Sequence, residues 1–196
     1  MMGVGYVNLI LLVLCFLVGF TISLNEYYWR DYSGTVPHDA YIAGKDTNGQ
    51  NIYIGQVAVQ KHTGIYPAVI SPGKKVVAAK DGAREAWNFA QILCTLFPQR
   101  FIWIPKENTN VHIIPNHLHP VNGGMEDGKA LYIGGINYQG HTIIGKILSG
   151  NIGNATMWFV HDNHERMINS YQLLVYTDNY HEYRGHEHIV HYRPTN

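Results

Sequence analysis

The chain has 196 residues, room for one domain or for two small units sharing a core. Lys+Arg 14 balance Asp+Glu 14, and charged residues are only 14% of the chain, which excludes a polybasic arm or an acidic tail and argues against nucleic acid as a partner. Gly 20 and Tyr 14 are high, a composition that favours short strands and tight turns.

Met1 to Ser23 contain no Lys, Arg, Asp or Glu, and Val7 to Phe20 read VNLILLVLCFLVGF. A run of about 14 residues is short for a membrane span, which needs about 20, and fits a secretory h-region. The reading is a signal peptide, residues 1–23, cleaved after Ser23; an uncleaved anchor and a buried strand are the alternatives. The mature chain is then expected to be secreted and extracellular, with no stable membrane insertion. Cleavage removes Cys15 and leaves Cys94 as the one cysteine, so no disulfide framework forms and Cys94, in AQILCTLF, reads as a buried, inert thiol.

Next in chain order comes a repeat. NGQNIYIGQV, Asn48 to Val57, matches DGKALYIGGI, Asp127 to Ile136, at an offset of 79. Each copy ends a turn in Gly, runs through an apolar-Tyr-Ile-Gly strand and meets another Gly-containing turn. Downstream, EAWNFAQIL (Glu85 to Leu93) aligns with ERMINSYQLL (Glu165 to Leu174). Asp81 to Phe97 is the best helix former in the chain, but its counterpart ends in a β-like run, so a turn followed by a strand is expected in both. FIWIP (Phe101 to Pro105) and ATMWFV (Ala155 to Val160) also read as strands. The expected fold is all-β, with two tandem repeats of short antiparallel strands packed with pseudo-twofold symmetry. Repeat one covers 24–99, repeat two 100–176, and a polar His-rich tail 177–196, with one further strand at HIVHYR as an option.

The chemistry-bearing residues are sparse. Twelve histidines, four of them in the tail (His181, His186, His188, His191), lack an HExxH or paired Cys-x-x-Cys pattern, and read as surface residues rather than metal ligands. His161-Asp162-Asn163-His164-Glu165 resembles part of a hydrolytic triad, yet no GxSxG elbow accompanies it, and turn capping is the simpler role. No Gly-rich phosphate loop is present. Neither an enzyme nor a cofactor is expected. Two polar segments, Ala43–Gly49 and Asn122–Gly128, read as turns carrying Asp46, Glu126 and Asp127. Carboxylates on rigid turns accept hydrogen bonds from vicinal sugar hydroxyls, a lysine donates, and an aromatic face covers the ring; Lys146 is the natural donor. The simpler alternative is that Asp46 and Asp127 only cap their turns. Asn154-Ala155-Thr156 is a glycosylation sequon.

Taken together, Val36-Pro37-x-Asp39-Ala40-x-Ile42-Ala43-Gly44-x-Asp46 and Gly49-x-x-Ile52-Tyr53-Ile54-Gly55 resemble the opening of the DM9 repeat family. The second copy offers Gly128-x-x-Leu131-Tyr132-Ile133-Gly134, Ile144-Gly145-Lys146-Ile147, Glu165 and Tyr171-x-Leu173-Leu174-Val175. Trp29 and Trp103 resemble the Trp that opens each copy. The resemblance implies an all-β double repeat and a mannose-type carbohydrate-binding function in innate recognition of microbial surface glycans, with homodimers known in the family. It places the acidic ligand residue at Asp46 in the first copy and at Glu126 or Asp127 in the second, and the lysine at Lys146. The first copy has Val69 at the lysine position, Thr63 and Gln139 replace the acid of the intervening turn, and Gln56 and Gly135 replace an arginine. The extracellular alternative is a structural or protein-interaction module without sugar binding.

Overall fold

A computed structural model describes residues 27–177. The expected signal segment and nearly all of the His-rich tail lie outside the described residues. The described residues form fourteen strands and one 3-10 turn, Pro98–Arg100: an all-β fold. The first six strands are β1 (Tyr28–Asp31), β2 (Ile42–Lys45), β3 (Asn51–Val59), β4 (Gly64–Ile70), β5 (Val77–Ala79) and β6 (Ala83–Cys94). The remaining eight are β7 (Phe101–Glu107), β8 (Leu118–Pro120), β9 (Asn122–Glu126), β10 (Lys129–Tyr138), β11 (His141–Leu148), β12 (Met157–His161), β13 (His164–Ile168) and β14 (Ser170–Thr177).

Every pairing is antiparallel. β3 pairs with β2, β4 and β6, while β5 bridges β4 and β6, so β3, β4, β5 and β6 form a closed circuit. In the second half β10 pairs with β9, β11 and β14, and β11 continues through β12 to β13. β1 flanks β6, with Trp29 opposite Leu93; β7 flanks β14, with Trp103 opposite Leu174. The registers of the two Tyr strands correspond: Tyr53 faces Ile70 and Gly55 faces Ala68, as Tyr132 faces Ile147 and Gly134 faces Gly145.

β6 is the strand whose composition favours helix. Its apolar end, Ile92 to Cys94, is fully buried between β1 and β3, and tertiary packing overrides the local preference. Asn88 sits at φ 54 within it, where the β3 register shifts between Val57 and Val59. The two extra residues on β6 bend the strand without ending it. The corresponding stretch of the second half is divided at Asn169 into β13 and β14.

Two segments read as turns are largely strand. Ala43 to Lys45 lie in β2 and Asn122 to Glu126 form β9; only Asp46 to Gln50 and Asp127-Gly128 turn. The glycines that suggested loops serve close approach. Gly124 has φ 144, and a Cβ there would run into the Ile65 carbonyl; a Cβ on Gly44 would strike Thr142. Gly124 lies in the seam that joins the halves, where Gly64 pairs with Glu126 and Ile65 with Met125.

The halves also share apolar interior. Tyr41, Ile52, Ile54 and Leu93 pack in one cluster with Phe101, Val121, Ile133, Ile144 and Leu174. Burial of such side chains contributes about 1.5–3 kcal/mol each, so each half loses part of its apolar interior without the other. Cys94 is fully buried, and burial, reinforced by the nearby Asp39 carboxylate, pushes its thiol up to about 11.

Candidate carbohydrate site

The seam delivers Glu126 to the end of β9, one residue before the hairpin turn at Asp127 (φ 50) and Gly128 (φ 75). Two residues in a left-handed conformation are the chemistry of a tight hairpin. Lys146, in β11, faces Ile133 across β10 and Trp158 across β12. Its side chain is only 6% exposed, and its ammonium stands 2.7 Å from Glu126 Oε2 and 5.2 Å from the centre of the Tyr66 ring.

The other Glu126 oxygen is held from the first half. The turn between β5 and β6 projects Lys80, whose ammonium lies 2.7 Å from Glu126 Oε1. Asp81, at φ 51, and Gly82, at φ 105, shape this turn, and the Gly82 N–H donates to Glu165 Oε2 at 2.8 Å. Burial works against ionisation of Glu126, but the ammonium groups of Lys146 and Lys80 outweigh it and hold the carboxyl below its ordinary range. The hydrogen bond to Glu126 raises Lys80 in turn. At neutral pH the cluster is one carboxylate between two ammonium ions.

A cavity of about 310 Å³ opens beside this cluster. Glu126, Asp127, Lys129 and Lys146 line it together with Asp81, Trp158 and Glu165. The indole N–H of Trp158 is buried without a hydrogen-bond partner. Among the described residues Lys146 donates to one protein oxygen, whereas an ammonium carries three protons. A buried cation with unused donors beside a carboxylate is complementary to a hydroxyl that accepts from the lysine and donates to the acid.

Of the predicted site residues, Glu126, Asp127 and Lys146 come together; the ion pair of Lys146 is with Glu126, and Asp127 stands at the rim. Asp46 is elsewhere. Its Oδ1 accepts from the Asn48 and Gln50 backbone N–H groups, each at 2.9 Å, and its Oδ2 lies 3.0 Å from Lys74. Lys74, then the Gln50 N–H, lower its carboxyl. Asp46 caps its turn, and an amine from the β4–β5 connection partners it in place of the absent lysine at Val69. Asn154 is exposed; its Oδ1 accepts from Asn108 Nδ2 at 2.7 Å and from the Thr156 hydroxyl at 3.3 Å. Lys80, Lys74 and Trp158 are contributions that the sequence reading missed. The apolar run, the Lys-Asp-Gly turn and the second apolar run around Lys80 signal a hairpin, but nothing local says which carboxylate it reaches.

His161 and His164 flank the β12–β13 turn, with the His164 Nδ1 2.6 Å from the Asp162 carbonyl oxygen. Asp162 and Asn163 adopt φ 50 and φ 63, again hairpin geometry. Among the described residues no group of three or more His, Cys, Asp or Glu side chains is arranged to hold a metal ion.

A DM9 repeat is matched over residues 58–157, half of the chain, from the end of β3 to the start of β12. The chain belongs to the DM9 repeat family. The DM9 match encloses Lys80, Glu126, Asp127 and Lys146, and one repeat is matched. DM9 repeats are non-catalytic modules. No curated protein matches the chain. Among solved structures it is similar to the nematode sperm cell motility protein MFP2B, with a TM-score of 0.53 and 14% identity over 80% of this chain and 47% of that one. The likeness is one of fold, and this chain spans about half the length of that protein. No helix among the described residues is long and apolar enough to cross a membrane.

Proposed function

We propose that this DM9 protein is a secreted carbohydrate-binding module of the mannose-type lectin kind, acting in recognition of microbial surface glycans. The observation that carries the reading is Lys146: a side chain 6% exposed, lining a cavity, paired through one proton with Glu126. A sugar hydroxyl placed between the two completes the hydrogen bonding of the ammonium. Trp158 lines the same cavity and supplies an aromatic wall for the apolar side of a pyranose ring.

The chain is further read as two tandem copies related by a pseudo-twofold. The corresponding registers of β3 and β10 and the matching positions of Trp29 and Trp103 support it. The charge-free leading segment and the exposed Asn154 sequon support secretion, with Asn154 as a glycan acceptor. Pairing of two chains would double a shallow site and raise its avidity.

A second reading, an extracellular interaction module without sugar binding, is favoured by one fact: both Glu126 oxygens already face lysines. Glycan-array retention of the secreted protein beside its Lys146→Ala and Lys146→Met forms separates the two. Loss of retention in folded variants is expected. Equal retention by all three, or none by the parent, refutes the lectin reading.

A further inference from the structure

We infer that the cavity beside Glu126 favours sugars bearing a protonated amine, such as 2-amino-2-deoxyhexoses, over neutral hexoses. This rests on the carbohydrate reading above and narrows its ligand class. The charge of Glu126 is already offset by a lysine on each oxygen, Lys80 on one side and Lys146 on the other, although each oxygen can still accept from a ligand hydroxyl. The other charged groups on the wall are Asp81, Asp127 and Glu165 against Lys129, with Lys80 3.5 Å from Asp81.

Their oxygens are available. Among the described residues Asp127 makes no ion pair or side-chain hydrogen bond, and Glu165 engages Oε2 alone, with the Gly82 N–H. Asp81 is held loosely, 3.5 Å from Lys80 and 3.7 Å from His62, with a side chain 65% exposed. A neutral hexose offers such carboxylates hydroxyl protons only, whereas a hexosamine adds a cation and so an ion pair, worth up to about fivefold in affinity at a partly exposed carboxylate. The buried Lys146 requires an oxygen acceptor from the ligand, so a simple amine lacking hydroxyl groups does not complete the site.

The cation is recruited in part by the first half of the chain, because Asp81 and the Gly82 N–H that orients Glu165 belong to the β5–β6 turn. That turn reaches over the second half and sets the charge of a cavity otherwise built there.

The test is calorimetric titration of the full secreted chain at pH 6 with glucosamine tetramer, its fully N-acetylated counterpart and mannotetraose. The glucosamine tetramer is expected to bind about twofold to fivefold more tightly than either neutral tetramer, the scale of one partly exposed ion pair. The advantage is expected to shrink at 0.5 M salt and in Asp127→Asn, and all binding is expected to be lost in Lys146→Met. Neutral tetramers binding as well as the amine overturn the inference and leave the lectin reading standing. Undiminished binding of the amine by Lys146→Met also overturns it, by locating the contact outside the cavity. Failure of every tetramer to bind overturns both.

Discussion

Replacing Glu126 by Gln is the sharpest probe of the cluster at the seam. The amide keeps the shape and removes the charge, leaving Lys146, with a side chain 6% exposed, without a counter-ion and Lys80, 17% exposed, with only the exposed Asp81 at 3.5 Å. Removing one partner of a fully buried pair costs about 3–5 kcal/mol. Water reaches the Lys80 side of this cluster, so about 2–3 kcal/mol is expected after allowing for screening. In a domain of this size that lowers the melting temperature by about 4–12 °C. The Glu126 carboxyl titrates below its ordinary range in the folded chain. Its contribution is therefore complete at neutral pH and down to the unfolded value of about 4.3, and is lost as pH falls from there through the lowered folded value. Thermal melts followed by circular dichroism should show parent and Glu126→Gln far apart at pH 7 and converging below about pH 4. The double variant Glu126→Gln/Lys146→Met, which removes the stranded buried charge, should recover much of the loss. A melting temperature within about 2 °C of the parent at pH 7, or an undiminished gap at low pH, would refute the account of Glu126 as the shared counter-ion.

Gly124→Ala places a methyl group against the Ile65 carbonyl at a residue with φ 144 and should cost about 3 kcal/mol or more from overpacking and strain. Gly49→Ala, at φ 75 with open space around it, should cost about 1–2 kcal/mol; equal melting temperatures for the two would contradict the seam geometry. The Cys94 thiol, fully buried and pushed up to about 11, should resist a thiol reagent in the folded chain and react within seconds in denaturant. Fast labelling of the native protein would show that β6 is not packed as described.

What the sequence made legible is what local pattern controls. The repeated Tyr-Ile-Gly strands at Tyr53 and Tyr132 declare themselves through period and composition, and so do the hairpin turns at Asp127 and Asp162. The strand at Ala83–Cys94 was readable only through its counterpart, because its own composition favours helix. Long-range pairing was invisible. Gly44 and Gly124 look like loop residues in sequence and become strand residues once the facing chain, Thr142 in one case and Ile65 in the other, fills the space beside them. Lys146 and Glu126 belong to one half and were legible as a set, but Lys80 reaches Glu126 from the other half. No periodicity encodes a meeting between a hairpin tip and a strand end so far apart along the chain. Asp46 shows the same limit of local pattern. An acid in a polar turn looks alike whether it awaits a ligand or is already occupied by two backbone N–H groups and Lys74.

The joint between β4 and β9 carries a consequence for how such a chain can change over time. A hairpin tip from one half closes over the carboxylate of the other, and a single cluster of side chains is drawn from both. Either half cut loose would lose part of its interior and part of its charge pattern together. Shuffling one half into a different protein, as beads on a string are exchanged, would therefore be selected against, and substitutions at Lys80 and Glu126 should drift as a couple.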